Sequence, residues 1–306
     1  MIGGQAVIEG VMMRGVHDTA LAVRTPDGTI SLEKWVSTSI KDKYPVLGIP
    51  IVRGVVNFVE MLIFGYKTLM KSAEIAGLDD DADTASDEKA KKTDGEGAGK
   101  KTMDALTIFS MILGFAIAIM LFVVLPTVLI GKTDSFVHWG AFKTLAEGVI
   151  KIAIFVGYLA LVSSLKDIQR VFEYHGAEHK TIYCYEHGDE LTPDNARKYT
   201  RFHPRCGTSF LLIVLIVSII VFSILTWKVL WLRIVLKLLL LPVVVGISYE
   251  IIKFAGRHDN SVMRFILAPG LWLQRLTTRE PDDSQLEVAI AALKAVLTEN
   301  RVDDRW

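Results

Sequence analysis

Apolar residues are gathered into long runs in the middle and second half of the chain. Residues 105–130 contain no charged side chain, and a helix needs about 20 residues to cross a hydrocarbon core about 30 Å thick. Residues 209–226 are equally free of charge, whereas residues 145–165 and 232–252 carry charged side chains mostly near their ends. The pattern predicts four transmembrane helices, and hence a mainly α-helical, polytopic membrane protein whose membrane domain covers residues 104–253.

The N-terminal residues show a pattern typical of strands. The residue types at positions 5–13 are compatible with a β-strand. Residues 20–25 and 29–36 flank the turn sequence Pro26-Asp27-Gly28. We expect a hairpin at this turn. It belongs to a small, β-rich cytoplasmic unit predicted for residues 1–45.

Residues 51–70 are apolar but are interrupted by Arg53, Asn57 and Glu60. Such a segment can lie in the membrane interface, re-enter the membrane, cross it or pack on the spans. We favour an amphipathic, interfacial helix within residues 46–78. A full crossing would move the N-terminal unit to the other side of the membrane.

Two polar segments complete the domain organisation. Residues 79–103 have very few apolar side chains and are predicted to form a disordered, charged linker. Residues 254–306 are predicted to form a C-terminal cytoplasmic helical segment, in which Ser284 and Glu287 match a capping box. The apolar residues of one helical face follow this box: Leu286, Ile290, Leu293 and Leu297.

The distribution of basic residues predicts the orientation in the membrane. The segment 166–208 is rich in Lys and Arg, whereas residues 131–144 hold only Lys132 and Lys143. Because loops rich in basic residues stay in the cytoplasm, segment 166–208 is expected to be a cytoplasmic loop. Four spans then place both termini in the cytoplasm. The protein itself is expected in the cell (plasma) membrane.

Composition narrows the class of protein further. Of the 306 residues, 51% are hydrophobic, and the mean hydropathy is +0.37. The 34 basic side chains balance 34 acidic ones, which argues against a nucleic-acid partner held by a general basic field. Two cysteines cannot form a disulfide scaffold for a chain of this size. Membrane lipid is therefore the expected contact.

Reactive side chains are concentrated in the predicted loop 166–208. This loop holds both cysteines and four of the seven histidines, namely Cys184, Cys206, His175, His179, His187 and His203. On a helix, His175 and His179 lie on the same face and can share a metal ion, with Glu178 beside them as a candidate general base. Such a pair can also be a solvated polar face, and Gly176 weakens a helix.

Two further motifs lie at the cytoplasmic ends of predicted spans. The sequence His203-Pro204-Arg205-Cys206 precedes the third span, and Glu250 lies near the end of the fourth, where a carboxylate close to lipid needs a partner. Because these ends meet in one layer, we expect a divalent metal site there, and zinc suits the mixed N, O and S donors. The candidate ligands are His175, His179, His203, Cys206 and Glu250, and the candidate catalytic residues are Glu178 and Arg205.

Each of these residues also has an ordinary structural explanation. Cys206 can pack as a small residue at a helix start, and Glu250 can pair with Lys253. Cys184, His187 and Asp189 are weaker candidates and fit a plain loop.

Several segments of the chain resemble the YqhQ-like bacterial membrane proteins. They are residues 3–15, 174–181, 203–210, 248–250 and 269–280. That family has no known function and is described as predicted metal-dependent enzymes, so the resemblance implies a protein of the bacterial inner membrane with metal-dependent activity.

The resemblance adds one item that spacing does not show. The N-terminal block GGQAVIEGVMMRG is similar to a family signature, which implies that Gln5, Glu9 and Arg14 supply polar groups to the same cytoplasmic layer. The alternative is a glycine-bounded strand with Glu9 and Arg14 exposed.

Three hypotheses of function remain open. The first is a zinc-dependent hydrolase at the cytoplasmic membrane interface that acts on a lipid-linked or membrane substrate. The second is a non-enzymatic, homo-oligomeric channel, transport or assembly factor, in which the polar cluster is a structural metal site or latch. Glu250, Arg233 and Lys237 then line a path, or the two basic side chains extend to the interface. The third uses Cys206 and His203 as nucleophile and base. An open coordination position favours the first hypothesis and a closed four-ligand site the second.

Overall fold

The computed structural model describes residues 2–78, 109–110, 112–133, 136–137, 139, 142–204, 206–224, 229–255 and 260–298. The predicted linker at 79–103 and Arg205 lie outside these ranges. The chain divides into two compact units. The first unit comprises Met1–Asp79, Leu159–Val214 and Pro242–Trp306, and the second comprises Asp80–Tyr158 and Leu215–Leu241.

A four-stranded antiparallel sheet forms the N-terminal part of the first unit. Its strands follow one another in space in the order of the sequence: β1 (Gly3–Val7), β2 (Gly10–Arg14), β3 (Asp18–Arg24) and β4 (Ile30–Val36). The hairpin predicted at Pro26-Asp27-Gly28 is confirmed, because Arg24 pairs with Ile30 across this turn. Residues 5–13 form parts of two strands, joined by a tight turn in which Glu9 has a φ of 50°.

The helices of the described residues account for most of the remaining chain. In chain order they are α1 (Ile40–Lys43), α2 (Val52–Ile75), α3 (Ile112–Thr133), α4 (Lys143–Val162), α5 (Lys166–His187), α6 (Pro193–Ala196), α7 (Gly207–Ser223), α8 (Leu230–Ala255), α9 (Ser261–Thr277) and α10 (Asp283–Val296). The predicted loop 166–208 is thus largely helical, since α5 runs for 22 residues before Gly188 ends it in a left-handed conformation.

Both faces of the sheet are covered by helices. On one face, Val11 and Met13 of β2 pack in a buried cluster with Tyr174 of α5 and Leu286 and Leu293 of α10. The opposite face is covered by α2: its side chains Phe64 and Leu69 pack against a cluster that contains Val7, Met12, Leu21 and Val23. Burial on both faces explains why β2 and β3 are apolar on successive residues.

The C-terminal helix is confirmed, but its start was predicted two residues too late. Asp282 accepts a hydrogen bond from the Gln285 backbone, and the Gln285 side chain accepts one from the Asp282 backbone. The capping box is therefore Asp282 and Gln285 rather than Ser284 and Glu287. Both pairs fit the same sequence pattern, and the structure selects the earlier one.

Among the helices that the structure describes, three are long and apolar enough to cross a membrane: α3, α4 and Trp231–Ala255 of α8. Between 17 and 28% of each apolar window is buried, so most of these side chains face outwards, as contact with lipid requires. The remaining predicted span, the third in chain order, corresponds to α7, whose 17 residues rise about 26 Å. Helix α7 is therefore shorter than the three helices named above.

Most of residues 51–70 lie in α2. This helix is long enough for a span, but it is not among the helices that are apolar enough to cross a membrane. It packs instead against the sheet. The exposed apolar side chains that remain on α2 include Val59, Met61, Leu62 and Ile63. These side chains suit the interfacial position favoured from the sequence.

Charged residues of the second unit's helices form a buried cluster. The Arg233 Nη2 atom lies 2.6 Å from Glu147 Oε1, and Lys237 contacts the other carboxylate oxygen of Glu147. The Lys237 Nζ atom also donates to the Thr127 hydroxyl at 2.7 Å. Arg233 and Lys237 are only 5% and 4% exposed. The sequence interpretation in which they extend to the interface is therefore wrong.

Candidate metal centre

Helix α5 and the residue before α7 bring two imidazoles and a thiol together. His175 and His179 lie one turn apart on α5, and their ring centroids are 4.5 Å from each other. The Nε2 atom of His175 is 3.1 Å from Cys206 Sγ. One ligand atom from each of His175, His179 and Cys206 lies within 4.8 Å of the other two.

Backbone carbonyls orient both rings. The Nδ1 atom of His175 is 2.7 Å from the carbonyl oxygen of Thr277, and the Nδ1 atom of His179 is 2.5 Å from that of Arg201. A carbonyl oxygen can only accept, so each Nδ1 carries a proton, and Nε2 is the nitrogen of each ring that is left to bind a cation. Histidine ligands of metals usually donate their other ring N–H to a carbonyl or carboxylate oxygen in this way, which fixes the ring.

The His179 ring is the most deeply buried of the three donor groups. His179 is 1% exposed, and its Nε2 atom has no hydrogen-bond partner in the part of the chain that the structure describes. Desolvation lowers the pKa of this ring, which keeps it neutral. A buried lone pair without a donor is costly unless a cation or water fills the position.

The Cys206 thiol is prepared for ionisation. Burial by itself would raise the pKa of this thiol, but the His179 ring and the hydroxyl and N–H groups of Thr208 outweigh it, so the pKa lies below the usual value. The Thr208 hydroxyl is 3.2 Å from Sγ. Cys206 also directly precedes α7, where the positive end of the helix dipole favours a thiolate.

Glu178 lies beside the ligand group and against strand β1. Its side chain is buried, and desolvation raises its pKa to about 8. The backbone N–H of Gly4 donates to the carboxylate. A Cβ atom on Gly4 would lie 2.8 Å from Glu178 Oε1, so the close approach requires glycine at this position of the N-terminal block.

His203 lies beside the cluster but outside its ligand group. Its ring centroid is 5.6 Å from that of His179, and its Nε2 atom faces Glu186 at 3.6 Å. Burial lowers the pKa of His203 to about 4. The amide of Gln274 bonds both the backbone N–H and the carbonyl of His203 at 2.7 Å. This contact fixes the segment that leads to Cys206.

The structure does not bring Glu250 into the cluster. Its carboxylate forms a two-point ion pair with the Arg53 guanidinium on α2, with 2.6 Å between Arg53 Nε and Oε1. Arg53 is thus the main partner of this carboxylate, and Lys253 also interacts with it electrostatically. The sequence could not indicate this partner, because Arg53 lies almost 200 residues away. Arg205 lies outside the described residues.

The three polar residues of the N-terminal block are spread over different surroundings. Gln5 lies against α2, where a Cβ on Gly65 would be 2.6 Å from its Oε1. Glu9 forms an ion pair with Arg170 and accepts a hydrogen bond from the Tyr174 hydroxyl at 3.3 Å. Arg14 is exposed at the end of β2. The residue of this block that contacts the candidate site is Gly4.

The other loop candidates are also placed away from the ligand group. Cys184 is buried in the core and donates to the Glu190 carbonyl at 3.4 Å. The His187 ring contacts Tyr199, with 4.8 Å between centroids. Cys206 lies against His175 rather than His203, so the nucleophile and base pair considered from the sequence is not the pair that the fold forms.

The residues that position the ligands were not identified from the sequence. Thr277 and Arg201 act through backbone carbonyls, which no side-chain motif reports. The segment 269–280, which contains Gln274 and Thr277, drew attention only through its family resemblance. In the sequence, that resemblance was the signal that could have pointed to Gln274 and Thr277.

Comparison with known proteins places the chain in a family. The model of the family described as "Protein of unknown function (DUF1385)" matches residues 49–299. The chain belongs to this family. It is also 36% identical over 296 residues to "Uncharacterized protein YqhQ" of Bacillus subtilis (strain 168), an alignment that covers 96% of this chain and 92% of that protein. No solved structure matches the chain.

The family match includes the three ligand candidates but begins after strand β4. The alignment with the Bacillus protein covers nearly the whole chain. Neither description assigns an activity, so any function has to be argued from the site itself.

Proposed function

We propose that the protein is a zinc-dependent hydrolase of the membrane, with His175, His179 and Cys206 as the metal ligands. One observation carries this proposal. One nitrogen from each imidazole and one thiol sulfur lie within 4.8 Å of one another, and a backbone carbonyl fixes each imidazole. The unpartnered Nε2 of the buried His179 gives this arrangement a reason to bind a cation.

The donor set favours zinc and a catalytic site. Imidazole and thiolate together suit zinc among the common divalent ions. Structural zinc sites have four protein ligands, whereas catalytic sites have three and leave one position open. The described residues supply three ligand atoms in this group.

The neighbouring carboxyl group supports hydrolysis over a purely structural role. A zinc ion bound here would act as a Lewis acid and lower the pKa of a water molecule at the open position. Glu178, which is buried beside the proposed ligand His179, would accept a proton from that water. The Gly4 N–H holds the Glu178 carboxylate in place while the proton moves.

We place the site at the cytoplasmic membrane interface, facing a lipid-linked or membrane substrate. Both termini are then cytoplasmic, which requires α7 as a fourth crossing. The composition of α7 supports it, because residues 209–223 carry no charged side chain, as a helix in contact with lipid requires. The segment from α5 to α7, which supplies the ligands, carries the basic residues that favour the cytoplasm.

Elemental analysis of purified protein in detergent tests the metal centre. We expect stoichiometric zinc in the wild type and loss of most of it in His175→Ala, His179→Ala and Cys206→Ala. His187→Ala and Cys184→Ala are matched controls, because both positions lie on α5 outside the ligand group. Equal metal content in all six proteins, or none in the folded wild type, would refute the proposal.

The buried charge cluster favours a second candidate function, an ion-conducting or transport role of a homo-oligomer. Arg233 and Lys237 pair with one carboxylate, that of Glu147, and a third buried cation, Lys151, lies within its electrostatic reach and donates to the Ser218 hydroxyl at 3.2 Å. Charged residues buried among apolar helices often mark ion pathways. Ion flux through liposomes containing the protein that is altered by Glu147→Gln but unaffected by His179→Ala would select this function over the hydrolase.

A further inference from the structure

A polar cavity opens on the first unit, next to the residues that position the candidate metal ligands. Its volume is about 450 Å³, within the range of small-molecule sites. Three arginines line it, Arg201, Arg275 and Arg279, together with two glutamates, Glu173 and Glu280. The wall is therefore dominated by guanidinium groups.

The two glutamates do not neutralise the three arginines. The Glu280 carboxylate is shared between Arg201 at 3.6 Å and Lys180 at 2.8 Å, so a fourth cation takes part of its charge. Glu173 accepts a hydrogen bond from the Gln285 side chain at 2.9 Å. The cavity thus has an excess of positive charge.

Donor capacity is also left over on the arginines. Arg279 donates from Nη2 to the Ser163 carbonyl at 3.2 Å, which is a neutral acceptor. Within the described ranges, Arg275 has no ion pair, and the buried Nε of Arg201 has no hydrogen-bond partner. Guanidinium groups with free N–H donors bind phosphate in a fork geometry.

The cavity shares its wall with the candidate metal centre. The carbonyl of Arg201 accepts the hydrogen bond of the His179 ring, and Thr278 of the cavity follows Thr277, whose carbonyl holds His175. A group bound among the arginines would therefore lie against the same backbone segments that position the metal ligands.

Helix α9 connects the cavity with a surface suited to lipid. Val262, Phe265 and Trp272 are 62%, 81% and 55% exposed, and their spacing places them on one face of the helix. An exposed stripe of this kind, with Trp among its members, is typical of a helix that lies in the membrane interface. Arg275 follows this stripe in the last turn of α9.

We propose that the arginine cavity binds the phosphate group of a membrane lipid. The further statement that this lipid is the substrate class of the hydrolase rests on the proposed function, whereas phosphate binding does not. The cavity supplies charge and N–H donors for the phosphate. The exposed apolar side chains of α9 favour a lipid, rather than a soluble molecule, as the source of that phosphate.

Native mass spectrometry of the detergent-purified protein tests the proposal, with phosphatidic acid and inorganic phosphate as separate probes. We expect adducts of phosphatidic acid on the wild type and a loss of affinity of about tenfold or more in Arg275→Gln and Arg279→Gln, as expected for losing a charge-assisted hydrogen bond. Arg264→Gln is the matched control, because Arg264 is on α9 but does not line the cavity.

The outcomes separate the two proposals. Loss of lipid binding in the cavity variants, with zinc content unchanged, supports the cavity. Inorganic phosphate binding as tightly as phosphatidic acid, with the same loss in the variants, would overturn the lipid as the source. Equal lipid adducts in wild type, cavity variants and control would overturn the site itself. Lipid binding that persists in a zinc-free wild type would refute only the hydrolase.

Discussion

At the scale of single residues, the candidate centre depends on which nitrogen of each histidine carries the proton. The carbonyls of Thr277 and Arg201 settle this for His175 and His179, because they can only accept. Glu178 depends in the same way on the backbone N–H of Gly4. Side chains supply the chemistry of this site, and backbone groups decide which atoms are presented.

Replacing Glu178 by glutamine separates metal binding from proton transfer. The amide keeps the shape of the side chain but cannot accept a proton, so we expect zinc content to remain and the hydrolytic rate to fall by about a hundredfold or more. The measurement is zinc analysis together with hydrolysis of a phospholipid or lipid-linked substrate. Hydrolysis at the wild-type rate would exclude Glu178 as the general base.

At the scale of elements, one close crossing joins α5 to the C-terminal segment. A Cβ atom on Gly176 would lie 2.0 Å from the carbonyl oxygen of Arg279, and Arg279 donates its N–H to the Phe172 carbonyl at 2.8 Å. The glycine that appeared to weaken the metal motif therefore allows the segment carrying Thr277 and Arg279 to approach α5.

We expect Gly176→Ala to destabilise the protein by about 1–3 kcal/mol, because the added methyl meets backbone that cannot move without shifting Thr277. Thermal unfolding in detergent measures the effect. Gly157→Ala on α4 is the control, since a Cβ there meets nothing within 4 Å. A change in melting temperature equal to that of the control would show that the crossing is not tight.

A second prediction at this scale concerns the buried charges of the second unit. Glu147→Gln leaves Arg233 and Lys237 without their shared carboxylate, which is expected to cost about 3–5 kcal/mol of unfolding free energy. Adding Lys237→Met to this variant removes one unpaired cation and should recover part of the loss. Denaturant unfolding in detergent measures both variants. No recovery in the double variant would contradict the assigned pairing.

At the scale of the whole molecule, the number of crossings decides on which side the C-terminus lies. With α7 as a crossing, α8 ends on the same side as α5. If α7 did not cross, α8 would carry the chain to the opposite side. The 17 residues of α7 rise about 26 Å, which is close to the thickness of a thin hydrocarbon core, so α7 can cross a thin bilayer.

Alkaline phosphatase fusions measure the topology directly. We expect low activity for fusions after residue 190 and after residue 298, and high activity for fusions after residues 140 and 226, because this reporter is active only outside the cytoplasm. High activity after residue 298 together with low activity after residue 190 would mean that the chain crosses three times.

The sequence determined those features that depend on local pattern. Long apolar runs, the turn at Pro26-Asp27-Gly28 and the apolar face of the last helix each follow from neighbouring residues, and the structure contains the corresponding elements. The spacing of His175 and His179 likewise placed two donors on one helical face before any fold was known.

Only the tertiary structure decided which distant groups meet. The sequence offered His203, Cys206 and Glu250 as candidate further ligands for the histidine pair, and the fold places Cys206 beside it while Glu250 pairs with Arg53. It also brings Gly4, Arg201 and Thr277 to the site through their backbone atoms. Side-chain patterns report periodicity along one element, whereas contacts between elements depend on packing and on backbone groups that every residue shares.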